Sequence, residues 1–194
     1  MATAMSYPIT YEGTPQLSGR NRITALLRLI LAIPHLLIVS AFSYVVQAIA
    51  VISWIAIVIT GNMPRGLWNF GVGYMRWRTR TNAYLLLLTD DYPPFSMDED
   101  ANYPCSFVSG EYPTSRNRLT VLLRLIWLIP AAIYASIIGI IASILYVLMW
   151  LIIIITGSAP GGMYNFIAGA LRIGTRLEAY MLLLTDEYPP FSMD

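Results

Sequence analysis

Two stretches of the chain are apolar over a length no ordinary core helix needs. They run from Ile23 to Ile59 and from Leu119 to Ile155. Past Pro34 and Pro130, their hydrophilic side chains are His35, Ser40, Ser43, Gln47 and Ser53 in the first run, and Ser136 and Ser143 in the second. Each run as a helix would span about 55 Å at about 1.5 Å per residue, against a hydrocarbon core of about 30 Å. Pro34 and Pro130 are expected to kink each helix or mark its entry. Thr60-Gly61 followed by Pro64, and Thr156-Gly157 followed by Pro160, read as helix stops. After each stop the pattern changes to three- and four-residue steps. Asn69, Gly73, Arg76, Arg80, Ala83/Tyr84 and Leu87 fall on one stripe, and so do Asn165, Gly169, Arg172, Arg176, Ala179/Tyr180 and Leu183. These predict amphipathic helices over 67–88 and 163–184. Short alternating leads, Tyr7 to Tyr11 and Tyr103 to Phe107, hint at brief extended segments. Gly73 and Gly169 are expected to permit close helix packing.

The same pattern appears twice because the chain is duplicated. Tyr7 to Asp98 and Tyr103 to Asp194 align without a gap at an offset of 96 residues. Arg20-Asn21-Arg22 returns as Arg116-Asn117-Arg118, and the closing Asp90 to Asp98 returns almost unchanged as Asp186 to Asp194. This predicts a first membrane module over 1–98, a linker over 99–102 and a second module over 103–194. The fold class is all-α integral membrane: two tandem pseudo-repeats, each a long kinked or hairpin transmembrane segment with an amphipathic interfacial helix.

Composition agrees with a membrane protein. Hydrophobic residues make up 57% and charged residues 12%, about half the usual charged share. A net charge of +1 gives no global attraction to nucleic acid. The first twenty residues lack the apolar core of a cleavable signal. All twelve basic residues are arginine, and they flank the apolar runs on both sides. The tendency of basic residues to stay cytoplasmic then favours a tight hairpin of two short crossings per run over a single crossing. It places both termini on the cytoplasmic side of an inner (cytoplasmic) membrane. The weakness of that reading is its tips, since Ser40-Ala41-Phe42-Ser43 and Ser136-Ile137-Ile138-Gly139 are poor turns.

Several motifs in this order resemble one family. They are Arg28-Leu29-Ile30-Leu31-Ala32-Ile33-Pro34-His35, then Thr60-Gly61-x-x-Pro64-Arg65-Gly66, then Asn82-Ala83-Tyr84-Leu85-Leu86-Leu87-Leu88-Thr89-Asp90-x-Tyr92-Pro93-Pro94-Phe95. The chain resembles bacterial membrane proteins carrying the DUF4389 domain, present here as two copies. The second copy departs with Ala131 in place of His35 and Gly161 in place of Arg65. The resemblance implies a bacterial integral membrane protein and no particular activity, cofactor or site.

Candidate chemistry is sparse. His35 is the single histidine and Cys105 the single cysteine, so neither a metal cluster nor a nucleophile triad can be assembled, and no phosphate-binding glycine loop is present. No cofactor and no enzymatic activity are expected. Guanidinium forks suit phosphate, which makes Arg28, Arg76 and Arg80, with Arg124, Arg172 and Arg176, candidate contacts to lipid phosphate. Plain interfacial anchoring and structural salt bridges to Asp90 are the competing readings. Tyr84, Tyr92 and Phe95, with Tyr180, Tyr188 and Phe191, recur in both copies as candidate partner contacts on an extended Pro-Pro tail. The expected partners are the bilayer, possible anionic phospholipids within it, and other membrane subunits or a second copy of the chain. The leading functional expectation is an accessory or scaffolding subunit of a membrane complex. The alternative is an anionic-lipid-binding or membrane-shaping protein, and a small transporter ranks below both.

Overall fold

The computed structural model describes residues 7–194. Its elements are β1 (Thr10–Gly13), α1 (Arg22–Thr60), α2 (Arg65–Leu85), β2 (Cys105–Val108), α3 (Arg118–Leu122), α4 (Arg124–Thr156) and α5 (Gly161–Met181). Asn21 starts α1 by accepting from the backbone of Ile23 and Thr24, and Asn117 does the same for α3, each satisfying amides a helix leaves open. Gly61 and Gly157 end the long helices at φ 80° and 73°, a left-handed conformation that glycine adopts without steric cost.

The hairpins expected from the charge pattern do not form. Residues 40–43 and 136–139 are helical, and each run ends as one long helix. The local reason is that nothing there can turn the chain. The serine hydroxyls bond back to carbonyls of their own helix: Ser40 to Leu37 at 2.9 Å, Ser43 to Ser40 at 2.6 Å, Ser136 to Ala132 and Ser143 to Ile140 at 2.7 Å. Pro34 is absorbed within α1 without a break. The second run does break, at Leu123, one turn before Ile126. There the amides of Ile126 and Trp127 both donate to the Leu123 carbonyl, at 3.0 and 3.2 Å. Among the described residues the fold therefore offers two helices long and apolar enough to cross a membrane, not four shorter ones.

The fold is also not purely helical. The two polar leads pair as an antiparallel ribbon with Tyr11 opposite Phe107 and Glu12 opposite Ser106. The free Cys105 is buried there, its Sγ 3.3 Å from the Tyr11 hydroxyl.

The copies interlock by reciprocal contacts. Trp54 Nε1 donates to the Val121 carbonyl and Trp150 Nε1 to the Ala25 carbonyl, both at 3.0 Å. Tyr7 donates to the Glu187 carbonyl and Tyr103 to the Asp91 carbonyl, both at 2.9 Å. Trp68 reaches the Leu184 carbonyl and Tyr164 the Leu88 carbonyl, both at 3.1 Å. Every pair maps onto itself under the 96-residue offset, so the copies are related by a pseudo-two-fold axis. The contacts of Trp54 and Trp150 also show that α1 and α4 run antiparallel. Three layers stack along the axis: the ribbon packs on α2 and α5, and these pack on α1 and α4. Buried core residues come from both copies; Ile57 and Trp68 share a cluster with Val121 and Leu183.

Only one stripe of α1 is buried, from Ala25, Arg28, Ala32 and His35 through Val39 and Val46 to Ser53 and Ile57. In each long helix 17% of the most apolar window is buried. Leu37 is 66% exposed and Leu125 73% exposed. A core helix of a water-soluble domain would hide such side chains.

Candidate functional site

Two arginines converge on one carboxylate at the start of each long helix. Arg20 lies 2.8 Å and Arg28 2.5 Å from Asp90. Arg28 also donates to the carbonyls of Tyr84 and Thr89 at 2.5 and 2.7 Å, and its guanidinium stacks 4.4 Å above the Tyr84 ring. The second copy repeats this with Arg116 and Arg124 on Asp186 at 2.7 and 2.6 Å, and Arg124 sits 4.2 Å over Tyr180. Burial pulls the Arg20 guanidinium below its ordinary value, and Asp90 opposes the pull. Each cluster holds two cations for one anion; backbone carbonyls where α2 and α5 end accept from Arg28, Arg116 and Arg124, while the Nε of Arg20, Arg28, Arg116 and Arg124 has no partner.

Arg28 and Arg124 are therefore not free to clamp a phosphate with the stripe arginines. They are 0% and 3% exposed, and their forks are spent inside the protein. The same burial corrects the reading of Tyr84 and Tyr180 as partner contacts, since both lie beneath these guanidiniums. Pairing with Asp90 was anticipated for the stripe arginines but belongs to Arg20 and Arg28. The signal was present in the sequence, because Arg20/Arg116 and Asp90/Asp186 are retained in both copies.

The stripe arginines instead hold the tails. Arg80 donates to the Asp98 carbonyl, and Arg76 pairs with Glu99 at 3.0 Å. Arg176 donates to the carbonyls of Ser192 and Asp194, while Arg172 reaches those of Met193 and Tyr11. Gly73 and Gly169 make room for this tail and not for another helix. A Cβ at Gly73 would stand 3.1 Å from Met97 Cβ, and one at Gly169 2.8 Å from Met193 Cβ. Tyr92, Phe95, Tyr188 and Phe191 remain between 37% and 53% exposed along these tails.

His35 serves the first tail. Its ring stacks on Phe95 at 3.9 Å, and its Nδ1 accepts from Trp77 Nε1 at 3.0 Å. Where the second copy has Ala131, Tyr134 meets Phe191 edge-on at 5.1 Å. Among the described residues no three His, Cys, Asp or Glu side chains gather to hold a metal.

One polar pair breaks the symmetry. Arg78 of α2 meets Glu178 of α5 at 2.8 Å, although the matching positions are Gly174 and Asn82. Arg78 and Glu178 both line two cavities of about 310 and 350 Å³ that reach Ser143 on one side and Gln47 on the other. Burial pushes the Glu178 carboxyl up to about 7, with Arg78 holding it down in part. The sequence reading passed over this pair because neither residue recurs in the other copy.

These features define a class: a tandem-repeat helical protein with a buried arginine–carboxylate anchor in each copy and two long helices whose apolar faces are uncovered. The family model described as domain of unknown function (DUF4389) matches residues 22–97 and again 118–193. The chain belongs to this family and carries the domain twice. No curated protein and no solved structure matches it.

Proposed function

We propose that the protein is a non-enzymatic structural module of the cytoplasmic membrane whose principal partner is the lipid bilayer. The observation that carries this reading is the uncovered surface of α1 and α4. Both helices present apolar side chains over most of their circumference, and no charged residue lies between Leu29 and Ile59 or between Leu125 and Ile155. Exposed apolar area on this scale needs a hydrocarbon or protein cover. The arginines left exposed sit at the ends of the long helices: Arg22, Arg65 and Arg118. At these ends they would meet anionic head groups, the role first expected of the stripe arginines. Recovery with membranes after an alkaline carbonate wash, and release by detergent alone, is the expected result. Release by carbonate or high salt would overturn the reading.

A second reading, an accessory subunit of a membrane complex, draws support from the exposed tail aromatics Tyr92, Phe95, Tyr188 and Phe191. Rigid, partly apolar side chains of this type are common anchors at interfaces. Mild-detergent purification with mass spectrometry of what accompanies the chain separates the readings. A stoichiometric protein favours the subunit, and retained anionic lipid alone favours the bilayer module.

A further inference from the structure

The pseudo-two-fold axis fixes how the molecule can meet a bilayer. It exchanges two antiparallel helices, so it runs perpendicular to α1 and α4 and passes near their midpoints. It also passes through the centre of the ribbon, at the pair Tyr11–Phe107, which the 96-residue offset maps onto itself. The ribbon and the acidic connection beside it therefore stand level with the middle of the long helices, displaced to one side by α2 and α5. That side is polar: Glu12, Glu99, Asp100 and Asn102 line an open cavity of about 620 Å³, and the Glu99 side chain is 77% exposed. The opposite side is the uncovered apolar face of α1 and α4.

Suppose α1 crossed the bilayer lengthwise. The ribbon and its carboxylates would then sit at the depth of the hydrocarbon midplane, where charge is strongly disfavoured. The helix would also be too long. Its 39 residues extend about 58 Å at about 1.5 Å per residue. Fitting that length into about 30 Å of hydrocarbon needs a tilt of about 60°, beyond the roughly 40° limit seen for crossing helices. Finally, both ends of the helix pair carry exposed arginine. Arg22 packs beside Gly157 at one end and Arg118 beside Gly61 at the other, so both ends belong at a head-group level.

We propose that α1 and α4 lie side by side within a single leaflet and do not cross it. Their outer faces occupy the acyl chains, their arginine-bearing ends meet the head groups, and the ribbon, linker and tails face water on one side. The occupant of the apolar face is the hydrocarbon of one leaflet. This rests on the bilayer reading above and deepens it. It also places every flanking arginine on one side of the membrane without any hairpin. Inserted apolar volume in one leaflet only would expand that leaflet, as amphipathic wedges do.

The test compares three single-cysteine variants in a Cys105→Ser background: Ser18→Cys at one end of the helix pair, Asn62→Cys at the other, and Glu99→Cys on the polar side. Sealed right-side-out and inside-out membrane vesicles are treated with a membrane-impermeant maleimide, and detergent-opened vesicles give total labelling. All three positions labelled from the same single side is the expected result. Labelling of Ser18→Cys and Asn62→Cys from opposite faces would establish a crossing and overturn the single-leaflet arrangement, while the bilayer reading stands. Carbonate release of the chain would sink both. Polarised infrared spectroscopy of the unaltered protein in oriented bilayers supplies a check that needs no variant. Helix axes should lie in the membrane plane, and a mean axis near the normal would overturn the proposal.

Discussion

Asp90 and Asp186 each stand as the single carboxylate facing two buried arginines, and the consequences of losing them follow from what stays behind. Asp90→Asn keeps the shape but leaves Arg20 and Arg28 facing each other without an anion. Breaking a buried pair in this way costs about 3 kcal/mol or more. The measurement is the unfolding midpoint in detergent or lipid, where Asp90→Asn and Asp186→Asn should each lower it and Asn69→Asp should not reproduce the effect. Glu178 makes a pH-dependent contribution of opposite sense to an ordinary ion pair. Its folded value near 7 lies above the ordinary 4.5 because burial outweighs Arg78. The folded state therefore holds its proton more tightly than the unfolded state, and stability falls as pH rises from about 4.5 to about 7. Stability measured across this window should decline in the parent and flatten in Glu178→Gln.

At the level of elements, the tails show how tightly packing is set. Gly169 is closer to its tail than Gly73, with Met193 Cβ at 2.8 Å and the Met193 carbonyl at 3.1 Å from an added Cβ. Gly169→Ala should displace residues 188–194 and raise proteolysis there, while Gly73→Ala has a weaker effect on residues 92–98. The helices themselves were legible in the sequence: the first apolar run became α1, the second α3 and α4, the Thr-Gly stops ended the long helices, and the stripes became α2 and α5, which end three residues early. They end where Leu87 and Leu183 turn left-handed at φ 61° and 63°. That change was hidden because leucine rarely adopts it, and here the burial of both side chains offsets the strain. The single long helices were misread because the arginine flanks argued for hairpins, while the serines that could have marked a turn bond within the helix. The ribbon was only hinted at, since each strand's partner lies in the other copy and no local pattern names it. The anchor arginines were visible as repeated residues, but their burial was not. Guanidinium groups at an apolar boundary read equally as head-group contacts until the carbonyls and the carboxylate around them are in place.

For the whole molecule, the reciprocal contacts mean that neither half is complete. Residues 1–98 expressed alone leave Trp54, Trp68 and Tyr7 without acceptors, and leave the strand of the lead unpaired. Each half should be proteolysed rapidly when produced alone and should be protected when both are produced together from separate transcripts. Equal resistance of isolated halves would show that the interlock contributes little to stability.

The interlock has one more consequence, which concerns descent. The Trp54, Tyr7 and Trp68 contacts each have a symmetric counterpart across the axis, so two separate one-copy chains could bury the same surfaces as a symmetric dimer. Joining them through Glu99 to Asn102 removes the requirement that both halves share one sequence. Arg78 can then face Glu178 while their equivalents are glycine and asparagine, and His35 can stack on one tail while alanine stands opposite the other. A homodimer must place every such innovation twice. In the fused chain each can arise once, so the positions where the halves differ at the axis are where a role particular to this protein is free to evolve.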